Sequence, residues 1–346
     1  MSEAKPLITP AERIFVAGHR GMAGSAICRA LRRAGYGDPA RGGELLTALS
    51  SALDLRDAAA VENWFAEQRP AVVVLAAARV GGIHANASYP ADFLLENLKI
   101  ETHVIENAWR HGTRRLLFLG SSCIYPKFAE QPIREEALLG GALEPTNEWY
   151  AIAKIAGIKL AEALRRQHGF DAFSLMPTNL YGPGDNYHPT NSHVLPALIR
   201  RFHEAALRPD QGRGSAVSCW GTGTPLREFL HVDDLGEACV FALEHWDPAA
   251  PGAPRGDDGQ ALSFLNVGTG TDLSIRELAE AVAAATGFAG TIEWDASKPD
   301  GTPKKQLDVS RLAALGWRAR IPLAEGLAAT VADFRERLTA GVLRAV

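Results

Sequence analysis

Short apolar runs alternate with longer helical patterns through the first half of the chain. The runs at residues 13–18, 71–77, 114–122 and 171–182 predict buried strands, and the position of residues 44–49 favours a further strand. Between them, residues 22–35, 92–111 and 150–168 carry apolar side chains at helical spacing and end at or beside a glycine. This alternation predicts an α/β fold, a Rossmann-type doubly wound parallel sheet with helices on both faces.

The pattern changes after Gly182, where residues 182–193 form a long polar connection rich in glycine and proline. Loops of this length in compact domains usually carry function, so we place a domain boundary here. We expect residues 1–182 to form a dinucleotide-binding Rossmann domain and residues 183–346 a smaller α/β substrate domain, with residues 230–270 returning to the first domain. The second part is predicted to contain helices at 193–207, 234–246, 274–287 and 322–338, and strands at 216–220, 261–268 and 291–295.

A glycine-rich turn follows the first predicted strand and opens the first helix. The segment reads Gly18-His19-Arg20-Gly21-Met22-Ala23-Gly24, a G-x-x-G-x-x-G spacing. Glycines let the backbone turn tightly and approach a pyrophosphate, whose charge is met by N–H groups at the start of the helix. A tight strand–helix turn without a ligand is the alternative. The position of the motif favours dinucleotide binding, as does Asp54 in an LDLRD segment where an adenine-contacting loop is expected.

The residues at the end of the second strand bear on the choice between NADH and NADPH. An acidic side chain there binds a ribose 2′-hydroxyl, whereas a basic one accepts a 2′-phosphate. Residues 49–52 are Leu-Ser-Ser-Ala and offer neither. Arg20, inside the glycine-rich turn, is the nearest cation, so the sequence mildly favours NADPH. An exposed loop cation without a ligand is an equally simple interpretation of Arg20.

Tyr150 and Lys154 stand four positions apart, which puts a phenol and an ammonium on one face of a helix. A phenol with an ordinary pKa of about 10 is a poor acid or base near neutrality, and a neighbouring ammonium favours its ionised form. Ser121 stands at the end of a predicted strand. Together with the glycine-rich turn, these three residues resemble the Ser/Tyr/Lys catalytic set of the extended short-chain dehydrogenase/reductase family.

Longer segments narrow this resemblance. LGSSCIYPK, LEPTNEWYAIAKIAGIKL, MPTNLYGPGDNYHPTNSHVLPALIRRFHEA and WGTGTPLREFLHVDD are similar to segments of the GDP-L-fucose synthases within that family. They include polar loop residues that packing does not require, and the resemblance runs from about residue 13 to the last helix. It implies NADP(H) as cofactor and a two-stage reaction on a GDP-sugar: GDP-4-keto-6-deoxy-D-mannose is epimerised at C3 and C5 and then reduced at C4.

The resemblance also implies a role for each candidate site residue. The implied catalytic residues are Ser121, Cys123, Tyr150, Lys154 and His193, with Cys123 as base and His193 as acid of the epimerisation. Without the resemblance, a buried cysteine and a helix-capping histidine would be the simpler interpretations. The implied cofactor contacts are Gly18, Arg20, Gly21, Met22, Gly24, Asp54, Leu119, Gly120, Ser121, Tyr150, Lys154, Pro177, Asn179, Leu180 and His193. The implied substrate contacts are Arg201, Trp220, Arg227, Asp300 and Lys305, and three of these are cations suited to a diphosphate.

Two further expectations come from the resemblance. Relatives carry an arginine where Ala48 stands here, so the preference for NADPH is expected to be moderate or to depend on Arg20. A homodimer is implied, in which the helices at 92–111 and 150–168 pair into a four-helix bundle. Apolar faces on both helices agree with this arrangement, as they do with burial against the sheet.

Composition and charge argue against nucleic acid, membranes and metal ions as partners. The chain has 36 basic and 40 acidic residues, so it lacks the basic surplus that nucleic acid or an anionic membrane calls for. No segment approaches the roughly 20 apolar residues of a spanning helix and the opening lacks a signal peptide, so we expect a cytoplasmic protein. The four cysteines are far apart and form no C-x-x-C pair, which predicts free thiols and no metal site.

Two alternative functions stay open at this point. A colitose-type synthase would act on a 3,6-dideoxy GDP-sugar and epimerise only C5, and the sequence does not cleanly separate it. A catalytically silent NADP-binding scaffold of the same fold is the other. The presence of all five catalytic candidates argues against the scaffold, because a site without catalytic function does not need them.

Overall fold

The computed structural model describes residues 6–208, 214–298 and 300–344, which form twelve strands and ten helices. The strands are β1 (Arg13–Ala17), β2 (Glu44–Leu46), β3 (Val72–Leu75), β4 (Arg115–Leu119), β5 (Asp171–Pro177), β6 (Asn179–Tyr181), β7 (Ala216–Trp220), β8 (Leu226–His231), β9 (Phe264–Val267), β10 (Asp272–Ser274), β11 (Thr291–Asp295) and β12 (Lys304–Lys305). The helices are α1 (Met22–Arg33), α2 (Ala58–Gln68), α3 (Ile83–Ser88), α4 (Pro90–Arg110), α5 (Glu148–His168), α6 (Val194–Ala206), α7 (Val232–His245), α8 (Ile275–Thr286), α9 (Ser310–Leu315) and α10 (Leu323–Thr339). No helix in this described part of the chain is long and apolar enough to cross a membrane.

Six strands form one parallel sheet in the order β2-β1-β3-β4-β5-β9. In its register Ile14 is opposite Val72, and Val72 is opposite Arg115. β3 and β4 are buried along their whole length, as strands of a sheet covered on both faces are. The predicted fold class is confirmed. The strand predicted at 44–49 ends early, at Leu46, and the one predicted at 171–182 breaks at Thr178 into β5 and β6.

Successive side chains of the strands point to opposite faces and enter two separate cores. Val16 and Val74 belong to the core that includes α1 and α7. Phe15 and Val73 belong to the core that includes α2, α4 and α5. The sheet is therefore covered on both sides, as the alternation of strands and helices predicts.

The chain leaves this sheet after β5 and returns to it later. β9 pairs with β5, where Ser174 is opposite Phe264. Leu312 and Trp317, still further along the chain, lie in the same core as α1 and α7. The core of the first half is thus completed by residues of the second half.

A second group of elements begins where β5 ends. β8 pairs with β6, β10 and β12, and β7 pairs with β11. α6, α8 and α10 pack around a core of their own that includes Leu195, Leu278 and Phe334. The helices and strands predicted for this half all form. The sequence analysis missed β8, β10 and β12, because strands of six, three and two residues show no clear period of two. It also missed α2, α3 and α9.

Candidate active site

A cleft of about 1000 Å³ is lined by residues that follow β1, β3, β4 and β5, together with residues of the second half. Open parallel sheets bind ligands at this edge, because the connecting loops and the helix N-termini meet there. The walls include the glycine-rich turn, Ser121 and Tyr150, and they also include Trp220 and Lys305. Both halves of the chain therefore contribute to one site.

The glycine-rich turn allows close approach of a ligand to the backbone. Gly18 has φ +88°, and a side chain there would lie 2.7 Å from the backbone of Ala77. A side chain at Gly24 would lie 2.2 Å from the carbonyl oxygen of Gly18. Gly21 is the N-cap of α1, and no side chain caps this end of the described helix. The first N–H groups of α1 thus stay open to a phosphate, and the helix dipole favours negative charge there.

Asp54 and Arg20 both line the cleft, but only one of them keeps an uncompensated charge. Arg56 donates to the Asp54 carboxylate at 2.8 Å and lowers the pKa of Asp54 to about 2. Arg56 also lies 3.3 Å from Glu96, so its own charge is offset by two carboxylates. Arg20 is exposed and forms no ion pair with any residue that the structure describes. The sequence analysis missed Arg56 as a second cation in this wall.

Tyr150 and Lys154 share one face of α5, as their spacing predicts. The Lys154 ammonium lies 5.9 Å from the centre of the Tyr150 ring. Burial, followed by the charges of Cys123 and Glu101, raises the pKa of Tyr150. A hydrogen bond with Ser121 acts in the opposite direction. Since burial dominates, the phenol stays protonated near neutrality, which suits a proton donor.

Lys154 does not line the cleft but is buried beside it. Its Nζ lies 3.0 Å from Glu101 Oε1, on α4, and donates a hydrogen bond to the carbonyl oxygen of Leu119 at 3.0 Å. Burial raises the pKa of Glu101 to about 7, although Lys154 lowers it. The sequence analysis missed Glu101. The available signal was a glutamate on the apolar face of a predicted amphipathic helix.

Cys123 lines the cleft in the short turn after β4 and has two polar neighbours. The Asn147 side-chain amide donates to its sulfur at 3.3 Å, and Lys305 Nζ lies 3.6 Å from the sulfur. Ser121 Oγ accepts a hydrogen bond from the Cys123 backbone N–H at 3.2 Å. An amide donor and an ammonium both stabilise a thiolate, the form of cysteine that acts as a base. Asn147 is not among the residues predicted from the sequence, and Lys305 is predicted there only as a substrate contact.

His193 is the N-cap residue of α6 and is exposed to the cleft. Desolvation by the cleft walls lowers the pKa of its imidazole. The loop that carries it packs on Gly82, whose N–H donates to the carbonyl oxygen of Asn191 at 2.8 Å. A side chain at Gly82 would lie 2.5 Å from the carbonyl oxygen of Ser192. His193 and Cys123 thus face one cleft from two different loops.

The expected substrate residues come from the second half of the chain. Arg201 donates to a backbone carbonyl of β7 at 2.8 Å, and burial lowers the pKa of Arg227. Trp220 is 61% exposed. Asp300 accepts hydrogen bonds from the Thr222 backbone N–H at 2.7 Å and from its hydroxyl at 2.9 Å. The Asp300 carboxylate therefore holds a turn of the protein, in addition to any contact with a ligand.

The cleft brings together all but two of the expected site residues. The residues that line it are Gly18, Arg20, Gly21, Met22, Gly24, Asp54, Gly120, Ser121, Cys123, Tyr150, Pro177, Asn179, Leu180, His193, Arg201, Trp220, Arg227, Asp300 and Lys305. Leu119 and Lys154 do not line it. Leu119 instead presents its carbonyl oxygen to the Lys154 ammonium.

The doubly wound sheet, the glycine-rich turn and the Ser121–Tyr150–Lys154 set define an oxidoreductase of the short-chain dehydrogenase type. Residues 14–253 match the model of the NAD dependent epimerase/dehydratase family. The chain is 54% identical over 329 residues to GDP-L-fucose synthase 1 of Arabidopsis thaliana, with 95% of each chain covered. It is also 54% identical over 327 residues to the GDP-L-fucose synthase of Escherichia coli (strain K12), with 94% of this chain and 97% of the relative covered. The chain therefore belongs to the NAD dependent epimerase/dehydratase family, in its GDP-L-fucose synthase branch.

Two more distant relatives bear on the substrate and the cofactor. A GDP-L-colitose synthase of Yersinia pseudotuberculosis is 33% identical over 323 residues, with 93% of this chain and 97% of the relative covered. The solved structure of MlghC, a GDP-mannoheptose C4 reductase from Campylobacter jejuni with NADP bound, is similar with a TM-score of 0.80. It is 32% identical, and the alignment covers 95% of this chain and 99% of that one.

Proposed function

We propose that this enzyme converts GDP-4-keto-6-deoxy-D-mannose into GDP-L-fucose, by epimerisation at C3 and C5 and then reduction at C4 with NADPH. One observation carries the proposal: Cys123 and His193 line the same cleft as Ser121 and Tyr150. A simple ketone reductase needs a proton donor beside the ketone but has no use for a second base and acid. An enzyme that also inverts the neighbouring carbons needs both pairs.

The glycine-rich turn fits the pyrophosphate of NADPH. The open N–H groups at the start of α1 would bind it, and the uncompensated charge of Arg20 would meet the 2′-phosphate. Asp54 does not repel that phosphate, because Arg56 neutralises it. The presence of NADP in MlghC supports this choice. When bound, the cofactor supplies the hydride that reduces C4.

Epimerisation begins beside the C4 ketone, where protons on the neighbouring carbons are acidic. The Cys123 thiolate removes such a proton, and the electrons of the C–H bond move to the C4 oxygen to form an enolate. The hydroxyl groups of Ser121 and Tyr150 donate hydrogen bonds to this oxyanion. His193 then delivers a proton to the opposite face of the same carbon, which inverts its configuration.

Reduction ends with transfer of the phenolic proton of Tyr150 to the C4 oxygen. Its raised pKa keeps that proton in place until the alkoxide develops. The ammonium of Lys154, 5.9 Å from the ring centre, stabilises the phenolate that is left. The cations Arg201, Arg227 and Lys305 would offset the diphosphate, and the exposed ring of Trp220 offers a stacking surface.

The comparisons favour GDP-4-keto-6-deoxy-D-mannose over a 3,6-dideoxy GDP-sugar as the substrate. Identity to the two GDP-L-fucose synthases is 54%, against 33% for the colitose synthase. The two substrates differ at C3, which carries a hydroxyl group in the first and none in the second. Only the first therefore has a stereocentre at C3 to invert.

The proposed function is tested with the purified protein, GDP-4-keto-6-deoxy-D-mannose and NADPH in deuterated water. We expect oxidation of NADPH and a product whose NMR spectrum is that of GDP-L-fucose, with deuterium at C3 and C5. A reduced sugar without deuterium at these carbons would make the protein a simple C4 reductase. Tight NADPH binding without any turnover would favour the silent scaffold, and either result would overturn the proposal.

We also propose that the enzyme is a cytoplasmic homodimer. Leu95 on α4 and Trp149 and Ile152 on α5 are exposed apolar residues, and a second copy could cover them by forming a four-helix bundle. The four cysteines are free thiols, which agrees with a reducing compartment. Sedimentation tests the dimer: Leu95→Asp should give monomers, whereas Leu338→Asp on α10 should not. A wild-type protein that sediments as a monomer at micromolar concentration would exclude this dimer.

A further inference from the structure

Glu101 is a carboxylate in an apolar position. It lies on the inner face of α4 between Asn97 and Val104, and only 1% of its surface is exposed. Burying a charged carboxylate costs several kcal/mol unless a partner compensates for the lost water. A residue of this kind is therefore expected to have a specific partner.

The partner is Lys154, whose ammonium lies 3.0 Å from Glu101 Oε1. Both side chains are almost completely buried, at 2% and 3% exposure, so water screens their attraction little. The same ammonium donates to the Leu119 carbonyl oxygen and lies 4.5 Å from the centre of the Phe118 ring. Among the described residues, Glu101 is the one carboxylate that pairs with Lys154.

The packing of α5 leaves room for this pair. A side chain at Gly157 would lie 2.8 Å from Glu101 Oε2 and 2.7 Å from the Phe118 ring. Glycine inside a helix is less favourable than alanine by roughly 1 kcal/mol. Its position here, one turn after Lys154, is explained by the space that the carboxylate takes.

Of the residues that the structure describes, few other charged groups face Glu101. α5 presents Lys154, and also Tyr150, whose pKa the Glu101 charge raises. β4 beneath it presents Phe118 and Leu119, while β3 and α2 contribute apolar side chains to the same core. The charge of Glu101 therefore interacts mainly with Lys154 and, over a longer distance, with Tyr150.

We propose that Glu101 is a positioning residue for the reduction, which holds the Lys154 ammonium charged and in place beside Tyr150. This inference rests on the proposed function, because it concerns the proton that Tyr150 gives to C4. Glu101 does not touch the cleft and acts through Lys154.

Loss of the Glu101 charge should affect both Lys154 and Tyr150. A buried ammonium without a counterion releases its proton more readily, since burial disfavours the charged form. Without the Glu101 carboxylate, the buried Lys154 ammonium has no counterion to stabilise its charged form. Where Lys154 is still charged, loss of the Glu101 charge also makes the Tyr150 phenol more acidic, because that charge is one of the causes that raise its pKa. The reduction needs a charged ammonium beside a protonated phenol. Both effects reduce the fraction of enzyme in this state at alkaline pH.

The experiment is the pH profile of kcat for NADPH-dependent reduction in Glu101→Gln, Glu101→Asp and wild type. We expect the alkaline limb of the Glu101→Gln profile to move to lower pH by about one to three units, the usual effect of an adjacent opposite charge. Glu101→Asp keeps the charge and should keep most of the wild-type profile. Glu106→Gln is the matched control, because Glu106 lies on the same helix and pairs with Arg110 at the surface at 2.7 Å.

The outcomes separate this inference from the proposed function. If wild type does not reduce the sugar, the proposed function fails first. If wild type and Glu106→Gln are active and Glu101→Gln loses activity equally at every pH, the pair is only structural and the inference is wrong. The same conclusion follows if neither Glu101 variant folds. If Glu101→Gln alone fails to fold, Glu101→Asp decides the question. An unchanged alkaline limb in this variant supports the inference, and a loss of kcat that is equal at every pH overturns it.

Discussion

Lys305 and Cys123 are 182 positions apart in the sequence, yet the ammonium of one lies 3.6 Å from the sulfur of the other. Cys123 follows a strand of the parallel sheet, whereas Lys305 belongs to β12 in the second half. An ammonium at this distance stabilises a thiolate. The base proposed for epimerisation is thus completed only when the two halves of the chain come together.

Replacing Tyr150 by phenylalanine should abolish most of the reduction. The variant loses the phenolic proton, and general acids of this kind contribute about 10²–10⁴-fold to a rate. Binding of NADPH should survive, because only one hydroxyl group is removed. Single-turnover oxidation of NADPH, followed by its absorbance, measures the effect. Turnover close to that of wild type would exclude Tyr150 as the proton donor.

Replacing Cys123 by serine should suppress the exchange of solvent deuterium into C3 and C5. A hydroxyl is a far weaker base than a thiolate, so we expect a loss of at least about 10²-fold. The variant should still reduce the unepimerised ketone. Cys28→Ser is the matched control, because Cys28 is buried on α1 away from the cleft lining. If deuterium exchanges equally fast in both variants, Cys123 is not the base and has only a structural role.

Replacing Arg20 by alanine should weaken the binding of NADPH and leave that of NADH nearly unchanged. A charge-assisted hydrogen bond to the 2′-phosphate contributes about 1.5–3 kcal/mol, which is roughly tenfold or more in Kd. Arg33→Ala provides the control, because Arg33 lies on α1 and pairs with Glu237 at 2.7 Å. Calorimetry with both cofactors measures the two constants. Equal losses for NADPH and NADH would mean that Arg20 supports the loop and does not contact the phosphate.

Replacing Asp185 by asparagine should stabilise the protein increasingly as the pH rises. Burial raises the pKa of Asp185 to about 7 from an ordinary value of 3.8. In the folded protein this carboxyl keeps its proton between about pH 4 and pH 7, whereas in the unfolded chain it is ionised. Its contribution to the free energy of unfolding therefore falls through this window and is constant above it.

The asparagine variant lacks this ionisation, and its amide oxygen can still accept the Asn186 N–H that now bonds Oδ1 at 2.7 Å. Its advantage should grow to about 4 kcal/mol above pH 7, because each pKa unit corresponds to about 1.4 kcal/mol. Chemical denaturation at pH 4.5, 6 and 8 measures the difference from wild type. A difference that does not change with pH would show that Asp185 is ionised in the folded protein throughout.

Local patterns were enough to predict the parallel sheet and the glycine-rich turn that lines the cleft. Strand β3 consists of three valines and a leucine, and the spacing of Gly18, Gly21 and Gly24 describes a turn that forms within seven residues. The pairing of Tyr150 with Lys154 follows from helical geometry alone. These features depend on neighbours in sequence, so the sequence is sufficient to find them.

The missed residues depend on contacts between distant segments. Glu101 is recognisable as a charge on an apolar helix face, but its partner on α5 becomes known only when α4 and α5 pack together. Asn147 has no distinguishing spacing, and its contact with Cys123 depends on how the turn after β4 lies beside the start of α5. Arg56 has its effect through Asp54 and through Glu96, which lies on α4.

The return of the chain to the parallel sheet has a consequence for biosynthesis. The edge strand β9, which pairs with β5, and the covering helix α7, which shares a core with β1 and α1, are translated long after β1 and α1. A nascent chain released from the ribosome only as far as Gly182 therefore exposes one apolar face of its sheet to solvent. Such a surface favours aggregation and chaperone binding. A fragment that stops at this glycine is therefore expected to be insoluble on its own.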